Sequence, residues 1–169
     1  MNYMVLIKLL YLADRSSLLE TGTPITGDRM VAMPYGPVLS QTYDNINMGE
    51  PIMPGADTTW YEYVSEPAAG FEVSAKKEHP DTDELSAYEL GVLESIYTQF
   101  GRMDKWSLVS YTHTLPEWSN PEGSSLVIEP DTILRNAGRS DAEIREITEA
   151  AEEAWFMQSL ARIAGVGSR

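Results

Sequence analysis

The chain has 169 residues, 43% of them apolar and 22% charged, with a formal net charge of −14 and no cysteine. That length fits one domain with a sizeable core. The charge argues against direct binding to a phosphate backbone, which needs Lys and Arg to release counterions; the missing cysteines exclude disulfides, Cys-ligated zinc and thiol nucleophiles.

Asn2 is placed to cap a helix running from Tyr3 to about Leu19. Its apolar residues (Leu6, Leu9, Leu10, Leu12, Ala13) occupy most of the circumference, which predicts a central buried helix. No segment reaches the roughly 18 apolar residues of a membrane span. No small-residue cleavage site follows Met4 to Leu12, so a cytoplasmic protein is expected. Thr21-Gly22-Thr23-Pro24 stops the helix, and Met30 to Met33 predicts a short extended segment. Pro34-Tyr35-Gly36-Pro37 then specifies a bend, because proline fixes φ and glycine permits conformations other residues avoid. Pro37 suits the first turn of a helix, expected from about Pro37 to Asn47 with Val38, Tyr43 and Ile46 for burial.

Asn47 to Thr59 reads as loop, with Met48, Ile52 and Met53 scattered through it. Trp60 to Ser65 and Phe71 to Ala75 both alternate, predicting a β-hairpin joined through Glu66 to Gly70. Between Met30 and Ala75 there is no Lys or Arg, while Asp44, Glu50, Asp57, Glu62, Glu66 and Glu72 fall there; one face should be negative. His79 to Glu84 is an acidic turn, and Ser86 with Glu89 forms a capping-box signature. The helix it starts carries Leu90, Leu93, Tyr97 and Phe100, and Gly101 ends it. Asp104 or a neighbour starts the next, with Trp106, Leu108, Val109 and Tyr111, broken by Pro116. Ser119 to Pro130 reads as loop, followed by a helical turn over Thr132 to Asn136 that Gly138 closes. Ser140 or Asp141 starts the last helix, whose stripe is Ile144, Ile147, Ala151, Trp155, Gln158 and Arg162, with fraying expected from Gly165. The expected fold is a mostly helical α+β single domain: five or six helices around the buried first one, with a small antiparallel β-hairpin.

The wording K-L-L-Y-L-A-D (Lys8 to Asp14), P-I-T-G-D (Pro24 to Asp28) and Y-G-P-V (Tyr35 to Val38) resembles the Panacea domain family. A second block, L-S-x-x-E (Leu85 to Glu89) and then S-Y-T-H-x-L-P-E-W (Ser110 to Trp118), fits the same pattern. The resemblance covers roughly residues 3 to 130. It organises the chain as a Panacea-like antitoxin domain over 1–139, with a C-terminal helix over 140–169 packed on it. That family includes phage-associated GepA-like proteins, SocA-type adaptors and toxin-neutralising antitoxins. The resemblance implies an antitoxin that binds its toxin directly and stoichiometrically. It also implies an alternative, a proteolytic adaptor that delivers the toxin to an AAA+ protease.

Chemistry in the sequence agrees with binding. His79 lies in a Pro/Asp turn, and Asp81, Asp83 and Glu84 lack the EF-hand spacing, so no metal or cofactor is expected. Gly165-x-Gly167 has no preceding strand and is no phosphate loop. A small hydrolase using His113 with Ser110 is the alternative of another class, but no nucleophile elbow appears. Otherwise the His113 ring pins the helix end to the following Pro turn. Candidate partner-binding residues are Asp14, Arg15, Tyr35, Gly36, Pro37, His113 and Trp118. Aromatics beside rigid turns make interface anchors; the alternative is that both rings pack into the core. Asp14 and Arg15 either orient the Tyr35 bend or form a surface pair. A basic toxin is the partner that the acidity suits, and no basic stripe supports nucleic-acid binding.

Overall fold

The first helix, α1 (Tyr3–Thr21), begins where Asn2 Oδ1 accepts the Met4 N–H and ends where Gly22 takes a left-handed conformation, φ 80°. A computed structural model describes residues 1–49, 58–68, 71–78, 80 and 82–166. Among the described residues six more helices and three short strands surround α1. They are β1 (Met30–Met33), β2 (Gly36–Leu39), α2 (Ser40–Met48), α3 (Thr59–Tyr63), α4 (Ala87–Phe100), α5 (Lys105–His113), β3 (Leu126–Val127), α6 (Pro130–Asn136) and α7 (Asp141–Val166). The mostly helical α+β expectation holds. Ser86 and Glu89 make the expected capping box on α4, and Asp104 caps α5 through the Trp106 and Ser107 N–H groups.

α1 packs against α2, α4, α5, α6 and β2, which is why it is buried on nearly every side. The strands form one antiparallel sheet in the order β2-β1-β3, with Met33 opposite Gly36 and Ala32 opposite Leu126. Side chains alternate across a strand, so this sheet divides the interior. Met30, Ala32 and Leu39 enter the large core with Leu9, Leu12, Ile96, Leu108 and Ile133. Val31 and Val38 enter a smaller core with Ile7 and Ile46. Each fully buried Leu or Ile there contributes roughly 1.5–3 kcal/mol relative to exposure.

The structure corrects several expectations. Pro37 lies in strand β2 and not in a helix: β2 is a sheet edge, where a missing N–H is tolerated. Helix α2 starts three residues later because Asp28 accepts the Gln41 and Thr42 N–H groups at 2.9 and 2.8 Å, a cap delivered from a distant residue. The small antiparallel element is built from β1, β2 and β3, not from residues 60–75. Trp60 to Tyr63 instead forms the one-turn helix α3, because the Tyr61 hydroxyl is drawn inward to the Asn45 and Gly49 carbonyls. Among the described residues, the hairpin expected there is reduced to the isolated bridges Val64 with Ala75 and Ala68 with Glu72 and a few backbone hydrogen bonds such as Ser65 N–H to the Ser74 carbonyl. On α4 the buried stripe is Val92, Ile96 and Phe100, and Tyr97 is 57% exposed. The stretch from Ser119 to Pro130 contains β3, whose side chains are exposed and whose pairing is made entirely through backbone.

Ile144 of α7 is buried in the large core and Ile147 packs against it. Glu50, Ile52, Met53, Asp57, Gly70, His79, Asp81 and Gly167 lie outside the described residues, as do the side chains of Trp155, Gln158 and Arg162. Among the described residues no helix is long and apolar enough to cross a membrane.

Candidate interaction site at the hairpin turn

A lysine is the first surprise in α1. Lys8 is 1% exposed, and its Nζ donates to the Pro37 carbonyl at 2.8 Å, tying the helix to the edge strand. Burial lowers its ammonium to about 7. Above it sits Gly36, with φ +92°. A Cβ there would lie 2.5 Å from Thr112 Oγ1 and 2.9 Å from Lys8 Nζ, so only glycine meets both the conformation and the close approach. Gly36→Ala is therefore expected to destabilise the fold by about 3 kcal/mol. Urea unfolding checks this; an unchanged midpoint would show that the turn can relax.

The same turn is held from its other side. His113 and Trp118 stack with ring centroids 3.9 Å apart and planes at 14°, and Trp118 Nε1 donates to the Met33 carbonyl at 3.1 Å. Burial and the nearby Lys8 charge hold His113 below its usual range, while a hydrogen bond to the Pro34 backbone opposes them. Among the described residues His113 Nε2 is buried without a hydrogen-bond partner, whereas Ser110 is exposed. A general base needs its free nitrogen against the hydroxyl it activates, and that arrangement is not present at this histidine.

Asp14 and Arg15, neighbours in sequence, serve different places. Asp14 is fully buried, and its carboxylate accepts the Ile25 and Thr26 N–H groups and the Thr26 hydroxyl. Burial pushes this carboxyl up and those hydrogen bonds oppose the rise. Arg15 turns to Glu117, with Nε 2.6 Å from Oε1, and Tyr11 donates its hydroxyl to the same oxygen at 2.9 Å. Burial alone would lower the Arg15 pKa, but the bond and charge of Glu117 outweigh it and raise it. Among the described residues neither hydrogen-bonds or ion-pairs with the other or with the Tyr35 bend. Glu117→Ala should cost about 3 kcal/mol, the low end for breaking a buried pair, since Arg15 keeps some contact with water. Glu117→Gln, which keeps an acceptor, should cost less in the same denaturation experiment.

On this turn the ring presented outward is that of Tyr35. It is 58% exposed and meets Trp106, 53% exposed, edge-on at 5.9 Å. Beside them Tyr3 and Phe71 form a second edge-on pair at 5.8 Å. The two pairs, with Asn2, Met4 and Lys105, line a cleft of about 280 Å³. Phe71 is itself left-handed, φ 65°, and exposed, a conformation costing roughly 1–2 kcal/mol for a bulky residue. Of the seven residues expected at a partner site, Gly36, Pro37, His113 and Trp118 meet beneath this turn and Tyr35 stands on it.

A family model described as "Antitoxin SocA-like, Panacea domain" matches residues 6–119. The chain belongs to this antitoxin family. No curated protein and no solved structure matches it. The matched region of the Panacea domain holds Lys8, Asp14, Gly36, Thr112, Glu117 and Trp118, and stops before β3, α6 and α7. Sequence reasoning missed Lys8, Tyr11, Thr112 and Glu117, as well as Trp106 as an exposed partner of Tyr35. A signal for Lys8 existed: the one charged residue within the apolar run Met4 to Leu12 must find a buried acceptor. Glu117 carried none, because its partners lie about a hundred residues away.

Proposed function

We propose that this Panacea domain neutralises a protein toxin by direct, stoichiometric binding, with Tyr35 and Trp106 as its anchors. The observation that carries the reading is that Lys8, Thr112, His113 and Trp118 are spent fixing the Gly36 turn, while the aromatic ring on that turn stays in solvent. Rigid exposed aromatics bury large area at small entropic cost, the property of binding hot spots. The net charge of −14 favours fast encounter with a basic toxin. The acidic stretch is partly compensated within the chain, because Glu72 pairs with the N-terminal amine and Glu62 with Lys77. Steering therefore comes from the whole surface more than from that stretch.

Co-expression with the protein encoded by the adjacent gene, followed by size-exclusion chromatography, tests this. A co-eluting complex of fixed stoichiometry with rescued growth is the expected result. Separate elution at micromolar concentration without rescue would remove the proposal for that pair. Rescue that depends on a cellular protease, with the toxin disappearing, would replace occlusion by delivery.

A further inference from the structure

Two walls of a second, larger groove belong to α6 and α7, beyond the family match. It measures about 670 Å³ and lies where α6 and α7 meet the end of α1. Leu134 and Ile147 form its floor, and Phe156, 57% exposed, forms a wall. Leu160, one helical turn beyond Phe156 and 46% exposed, continues that apolar face along α7. Among the described residues the lining also carries Glu129, Asp131 and Glu152 and neither Lys nor Arg, with Arg135 and Arg145 lining an adjoining cleft that shares Asp131.

These features select an occupant. An apolar trough beside a helix accepts an amphipathic helix, whose stripe fills the floor while its flanks meet the rim. A rim of three carboxylates calls for Lys or Arg on those flanks. A second copy of this chain is disfavoured, because it would bring another acidic rim and another −14 charge to the contact. We propose that this groove binds a basic amphipathic helix of a partner protein. The site shares no residue with the aromatic cleft, so the proposal goes beyond toxin docking at Tyr35: one chain holds two partners.

Isothermal titration calorimetry of the full chain with a synthetic helical peptide of Leu and Lys, patterned for one apolar face, tests it. The wild type should bind in the micromolar range, and Phe156→Ser should weaken binding about tenfold or more while preserving net charge. Glu152→Gln should weaken it severalfold, Tyr35→Ala should leave it unchanged, and circular dichroism should show all three variants folded. Equal binding by wild type and Phe156→Ser would overturn the proposal, since a merely electrostatic association would not feel the lost ring. So would no heat of binding at about 100 μM peptide. Sedimentation showing a dimer that Phe156→Ser dissolves would overturn it in favour of a second copy. Loss of binding in Tyr35→Ala alone would place the peptide on the other face and overturn it as well.

Discussion

Tyr35→Ala and Trp106→Ala are each expected to weaken the toxin complex roughly 30-fold, about 2 kcal/mol, without unfolding the domain. Both side chains are more than half exposed, so truncation leaves no cavity. Their rings touch, and the double variant should therefore lose less than the two single losses combined. Calorimetric titration of toxin into the three variants, with melting temperatures alongside, checks both points. Wild-type affinity in Trp106→Ala would remove this face from the proposal while leaving neutralisation by another surface in play. Gly36→Ala provides the contrast: it should lose stability as well as binding, because it disturbs the support and not the anchor.

The second large effect concerns pH. Lys8 is held at about 7 in the folded chain against an unfolded value of 10.5. Between those values the unfolded state binds more protons, so stability rises with pH. Below pH 7 the cost of burying the ammonium is present in full, and as the amine becomes neutral it disappears. From pH 7 to 9.5 the wild type should gain about 3 kcal/mol from this group. Above pH 10 Tyr11 acts in the opposite sense, since burial and Glu117 raise its phenol in the folded state. The informative window therefore ends below 10.

Lys8→Met keeps the packed stem but removes both the charge and the donor to the Pro37 carbonyl. Its stability should be flat across the window. At pH 9.5 it should be less stable than wild type, because the Pro37 carbonyl is left unpaired, at a cost of about 1–3 kcal/mol. By pH 7 the difference should shrink or reverse. Chemical denaturation of both proteins at pH 7, 8 and 9.5 measures this crossing. Parallel pH profiles would show that Lys8 titrates near its ordinary value and that water reaches it.

What the sequence determined by itself was mostly local. Asn2 with Gly22, Ser86 with Glu89, and Asp104 set helix ends because each satisfies backbone groups within a few residues. The apolar circumference of α1 announced a central helix, and the two motif blocks announced the family. Tertiary structure decided whatever depends on a distant partner. The start of α2 waited for Asp28, the helical form of Trp60 to Tyr63 for Asn45 and Gly49, and β3 for a free edge of β1. The candidate site follows the same division. Its residues were legible as types, but Pro37, His113 and Trp118 face inward and Tyr35 outward only because Lys8, Thr112 and Met33 occupy the space behind the turn. Spacing along a chain fixes which groups need partners; only the packed fold fixes which of them find one inside and which are left for a second protein.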